Sequence, residues 1–130
     1  MISGDDRMRK LHRMKLHPEP FNAIASGAKT IELRLYDEKR RRMGVGDLIE
    51  FCQIDGVGEV IVCKVVALHV YASFEELYRA LPLEKCGYTA DEVAGSLARA
   101  SDMRAYYSAE DEARFGVVGI ELTKCEHAEI

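Results

Sequence analysis

Gly27-Ala28-Lys29-Thr30-Ile31-Glu32-Leu33-Arg34 decides the reading of this chain. Gly27 is placed to stop a short helix, and an extended segment follows. Alternate residues of a strand share a face, so Thr30, Glu32 and Arg34 line one side while Ile31, Leu33 and Leu35 line the other. The aliphatic row is the natural core face. The polar row opposite it predicts a polar cleft built on a hydrophobic wall.

Upstream, residues 13–17 (R-M-K-L-H) alternate as a short strand does. Pro18-Glu19-Pro20 opens a helix, with proline in its first turn and Glu19 at its positive end. Phe21, Ile24 and Ala28 follow helical spacing up to Gly27. Downstream, residues 36–42 (Y-D-E-K-R-R-R) are polar, and Gly44-Val45-Gly46-Asp47 reads as a turn that Asp47 fixes. Residues 48–54 form a strand, and Asp55-Gly56 marks a hairpin turn. Residues 59–71 (E-V-I-V-C-K-V-V-A-L-H-V-Y) are the longest β-branched run, which predicts a strand buried on much of both faces.

Ser73 with Glu76 makes a capping box for a helix over 74–81. Thr89 with Glu92 makes a second, with Tyr88 stapled onto Val93, for a helix running to about Ala105. Ser108 caps a short acidic turn through Arg114, and 116–124 closes the chain as a strand. Phe74 and Phe115 are expected in the core. The strands are too few and too unevenly spaced for a doubly wound sheet, and no G-x-G-x-x-G is present. The order fits an α+β fold, a small mixed β-barrel with helices packed at its openings.

The formal charge of −4 is unevenly spread: residues 1–46 carry +5 and residues 47–130 carry −9. The acidic half argues against coating a long duplex, whereas the basic half suits a few phosphates. Cys52, Cys63, Cys86 and Cys125 are widely spaced without a C-x-x-C, so reduced thiols are expected and neither metal nor cofactor is implied. No apolar run approaches the ~20 residues that span a bilayer, so no membrane association is expected. Residues 1–13 lack the apolar centre of a secretory signal, and a flexible tail with Met14 as an alternative start is the expectation. The expected location is the cytoplasm.

With this order in place, P-E-P-F-N-A-I-A-S-G-A-K-T-I-E-L-R-L, G-V-G-D-L-I-E-F, Y-A-S-F-E-E-L and Y-Y-S-A-E-D-E-A-R-F-G-V-V-G-I-E-L together resemble an ASCH domain of the PUA-like superfamily, over about Met14 to Lys124. The predicted domain runs over 14–126. The resemblance implies a pseudo-barrel with a cleft beside the motif strand that binds RNA or a modified nucleoside. Some small members of the family are described as acetylcytidine amidohydrolases and some as ribonucleases. The amidohydrolase pattern wants a lysine two residues after the glycine, which Lys29 supplies. It wants a threonine three residues further on, where this chain has Glu32; Thr30 lies elsewhere in the motif. The presumed nucleophile is therefore missing.

Two readings of the trio stand side by side. Glu32 and Arg34 share a face and suit a structural ion pair. Alternatively, Lys29 and Arg34 hold an anionic or carbonyl-rich ligand while Glu32, kept ionised between them, accepts from a base amino or ribose hydroxyl. Lys39-Arg40-Arg41-Arg42 is either a solvated face or a phosphate patch, of which Arg40 and Arg41 are the candidate contacts. Tyr106-Tyr107-Ser108 offers rings for base stacking, Tyr107 first, although packing against the barrel is the commoner role. The expected function is binding of single-stranded RNA or a nucleotide-like ligand through Lys29, Thr30, Glu32, Arg34, Arg40, Arg41 and Tyr107. The alternatives are a hydrolase of RNA or a modified nucleoside, with Lys29 stabilising charge and Glu32 as base, and a protein-interaction adaptor working through the acidic half.

Overall fold

The computed structural model describes residues 9–125. Five strands form one sheet: β1 (Leu11–Leu16), β2 (Ile31–Leu35), β3 (Leu48–Gln53), β4 (Ile61–Tyr71) and β5 (Val117–Lys124). Their order is β1-β3-β4-β5-β2; β1 runs parallel to β3 and every other neighbour is antiparallel. The sheet curls into a half-barrel whose edges are β1 and β2. The α+β reading holds, with the barrel left open along one seam.

α1 (Pro18–Ser26) links the two edges. Gly27 ends it in the left-handed region, φ 86°, and donates to the Ile24 carbonyl, a conformation that favours glycine. α2 (Glu38–Arg41) is a single turn capped by Asp37, whose side chain accepts from the Arg40 N–H. α3 (Phe74–Ala80) is capped by Ser73, and α5 (Ala109–Phe115) by Ser108. Asp47 is buried and accepts from the backbone N–H groups of Gly44 and Lys10, so it fixes the turn into β3.

The core has two parts, one on each side of the sheet. Phe21 and Ile24 of α1 pack with Met14, Ile49, Phe51, Val65, Val118 and Ile120. Ile31, Leu33 and Leu35 pack on the other side with Phe74, Leu77 and Val117. Glu32 stands opposite Ile120 in the ladder, and Arg34 opposite Val118. The polar row of β2 thus lies on the inner face of the half-barrel, at its open seam.

Four expectations change. The helix after Thr89 is short: α4 (Ala90–Ala94) has the full capping box but stops at Gly95, and Ser96 takes φ 57°. A separate 3-10 turn (Ala100–Ala105) follows, because Asp102 accepts from the Arg99 N–H and starts a new cap. Tyr88, expected to staple onto Val93, is hydrogen-bonded elsewhere, as described below. β4 is not buried on both faces: Ile61, Cys63 and Val65 are buried, whereas Val66, within a bulge between Val65 and Ala67, and Val70 beyond it are exposed. β1 begins at Leu11, so residues 11–13 of the expected tail are strand, while 1–8 lie outside the described residues.

Candidate functional site

The seam between β1 and β2 opens into a cleft of about 700 Å³. Its floor is the motif strand. Lys29 Nζ lies 2.8 Å from Glu32 Oε1, and Arg34 Nε donates to Glu32 Oε2 at 2.8 Å. Each carboxylate oxygen therefore faces one cation. Arg34 also donates from Nη2 to the Lys15 carbonyl of β1 at 3.1 Å, spanning the seam.

Glu32 is only 4% exposed. Burial pushes its pKa up, but the charges of Lys29 and Arg34, with the hydrogen bonds they donate, outweigh burial and hold it below its ordinary 4.5. The result is an acceptor that is ionised at neutral pH. An ammonium carries three donors and a guanidinium five, so both cations retain donors toward the cleft.

One wall is aromatic. Tyr78 of α3, Tyr88, Tyr106 and Tyr107 all line it. Tyr78 and Tyr88 share a hydroxyl–hydroxyl hydrogen bond of 2.7 Å, and Tyr88 donates to Asp102 Oδ2 at 2.7 Å. Burial raises the Tyr78 pKa to about 12, and burial with these hydrogen bonds raises that of Tyr88. Both hydroxyls stay protonated and polar at the cleft wall. Cys86 also lines the cleft, and burial lifts its thiol to about 11, which favours the protonated form. The opposite wall comes from Lys15, Leu16 and His17 of the β1 end and from Glu19, Pro20 and Ala23 of α1.

The expected residues divide. Lys29, Glu32, Arg34 and Tyr107 converge on the cleft. Tyr107 stacks on Phe74, with ring centroids 6.0 Å apart, so that face is spent on packing, whereas the Tyr106 ring is 65% exposed at the rim. Burial pushes the Tyr107 hydroxyl pKa up, with Arg34 acting against the rise. Thr30 does not line the cleft: its N–H donates to the Lys85 carbonyl and its own carbonyl accepts from Leu122, extending the β2 ladder. Arg41 lies over the Tyr36 ring at 4.4 Å and donates to the Phe115 carbonyl, a bracing role outside the cleft. Arg40 lines a neighbouring cavity and pairs with Asp37 at 3.6 Å.

Sequence reasoning passed over Tyr78 and Asp102 and gave Tyr88 only a packing contact with Val93. Tyr78 sits four residues after Phe74 on the apolar stripe of α3, which disguised it as core. The Arg99-to-Asp102 spacing, a second cap inside a supposed helix, was the available signal. Among the described residues no group of His, Cys, Asp and Glu is placed to hold a metal ion, and no helix is long and apolar enough to cross a membrane.

Comparison with known proteins fits this geometry. Residues 14–126 match the family model described as ASCH domain. A crystal structure of a hypothetical protein, PH0355, is 34% identical, with a TM-score of 0.69 over 88% of this chain and 99% of that one. The solution structure of protein PF0455 from Pyrococcus furiosus is 33% identical, with a TM-score of 0.66 over 90% and 99%. The crystal structure of ASCH from Zymomonas mobilis is 20% identical, with a TM-score of 0.59 over 89% of this chain and 68% of that one, a likeness of fold. A search of curated proteins finds no match.

Proposed function

This chain belongs to the ASCH domain family, and on that premise we propose that it binds single-stranded RNA, or a nucleotide-like ligand, in the cleft beside the motif strand. The family is thought to bind RNA. One observation carries the reading for this chain: a buried, ionised Glu32 clamped between Lys29 and Arg34 at the floor of a cleft walled by tyrosines. Cations with donors to spare suit carbonyl and phosphate oxygens, and Glu32 suits an amino or hydroxyl donor. Tyr106, exposed at the rim, offers a face for a base.

The same geometry works against Glu32 as a general base. Its oxygens already accept from two cations, and a depressed pKa makes a weak base. Binding is therefore the better role for the trio. Filter binding of short single-stranded RNAs to the wild type, Lys29→Ala and Tyr106→Ala tests it. Tyr106 is exposed, so its truncation leaves the core intact. Tyr106→Ala should bind about 5- to 150-fold more weakly, given ~1–3 kcal/mol for one lost stacking contact, and Lys29→Ala should lose affinity as well. Unchanged affinity in both folded variants would sink the cleft reading.

A further inference from the structure

β1 borders two cavities. Lys15, Leu16 and His17 wall the cleft, while residues 10–14 wall a second cavity of about 690 Å³ whose far side is the Lys39–Met43 segment. Lys10, His12, Arg13, Lys39, Arg40 and Arg42 line it, and among the described residues no Asp or Glu does. Nearby carboxylates hold some of these side chains from behind. Asp47 Oδ2 lies 2.8 Å from His12 Nε2 and is only 1% exposed, so it anchors the ring without offering charge to the surface.

Arg40–Asp37 at 3.6 Å is a half-buried pair. The other two are looser: Arg42–Glu38 at 2.9 Å joins exposed side chains, and Arg13–Glu50 at 3.4 Å joins an exposed one to a half-buried one, attractions that are weak and readily exchanged for another anion. Among the described residues no carboxylate lies within ion-pair distance of Lys39 or Lys10; the Lys10 ammonium donates to the Arg42 carbonyl. A cavity this rich in exchangeable cations suits an anion of more than one charge.

The two cavities adjoin along β1, where residues 10–14 line one and Lys15–His17 the other. Arg13 and Lys15 occupy the same side of the strand, about 7 Å apart by strand rise, one in each cavity. Arg40 lines the basic cavity, near enough for its charge to act on the Tyr107 hydroxyl of the cleft.

Building on the cleft reading, we propose that the cavity between β1 and α2 is a phosphate-binding subsite, so that the ligand is a single strand of several nucleotides and not a lone nucleoside. A base held in the cleft directs the adjoining backbone along β1, past Arg13, into the field of Lys39 and Arg42. Phosphate contacts fix register and add a salt-dependent term; the cleft supplies selectivity.

The test is fluorescence anisotropy with a labelled single-stranded RNA of mixed sequence, across a salt series, on the wild type, Lys29→Ala and the double variant Lys39→Ala with Arg42→Ala. Both substituted cations are exposed and lie outside the cleft, so folding is spared. The double variant should lose about tenfold in affinity at low salt, with the slope of log affinity against log salt shallower by about 1.4, two contacts at ~0.7 each. Its affinity for nucleoside 5′-monophosphates should fall far less. Wild-type affinity and slope in the double variant, with binding lost in Lys29→Ala, would overturn the subsite and leave the cleft reading standing. Loss in the double variant but not in Lys29→Ala would overturn the cleft reading and the path through it. A wild type that binds no RNA overturns both.

Discussion

Arg34 donates from Nη2 to the carbonyl oxygen of Lys15 at 3.1 Å, joining two edge strands, β2 and β1, that share no backbone ladder. The same guanidinium holds Glu32 through Nε. One side chain therefore braces the open seam and shapes the cleft floor, which couples the site to the fold.

Arg34→Lys keeps the charge but loses the planar fork that reaches two partners at once. Stability should fall by about 1–2 kcal/mol, a drop of several degrees in Tm for a chain of this size. Hydrogen exchange should quicken in β1 and β2 and stay unchanged in β3 and β4. Uniform exchange across the sheet would mean that the seam bond contributes nothing local.

Glu32→Gln leaves two partly buried cations facing a neutral amide. Removing one partner of a buried charge cluster typically costs ~3–5 kcal/mol, and the retained amide oxygen lowers that to roughly 2–3. Urea unfolding measures it. A variant as stable as the wild type would show that the trio is not a stabilising unit.

Acid stability follows from the depressed pKa of Glu32. The unfolded carboxyl takes up its proton near its ordinary 4.5 and the folded one only at lower pH. Between those values the unfolded state binds more protons, so stability falls as pH drops. The contribution is fully present above 4.5 and is lost as pH falls through the folded value. Thermal melts from neutral pH downward should fall more steeply below 4.5 in the wild type than in Glu32→Gln. Parallel curves would contradict the assignment.

Gly119→Ala tests how closely α3 and its connection sit on the sheet. A Cβ there would lie 2.8 Å from Leu81 Cδ1 and 3.1 Å from Ile31 Cγ2. Ile31 is held in the core and cannot retreat freely, so the substitution should cost about 1–2 kcal/mol. Calorimetry reads it, and an unchanged Tm would mean that Leu81 simply rotates away.

What was legible in the sequence was local. The Gly27 stop, the alternation of β2, the Ser73 and Thr89 caps and the turn at Asp47 each depend on residues within a few positions of one another. The long helix failed because Gly95 and Ser96 break it and Asp102 caps anew, signals outweighed by a strong capping box upstream. The site was half legible. Lys29, Glu32 and Arg34 lie together in the chain, but the tyrosine wall is assembled from α3, the segment at Tyr88 and the turn after Ala105. Burial of Glu32 was not legible at all, because it depends on Ile120 across the ladder and on β1 across the seam.

The most direct measurement is an amide NMR titration of the protein with short single-stranded RNA. Shifts concentrated at Lys29–Arg34, Lys15–His17 and Tyr106–Tyr107, saturating with added RNA, are the expected result. Shifts confined to the acidic surface of α4 and α5, with the motif strand unmoved, would contradict binding in the cleft.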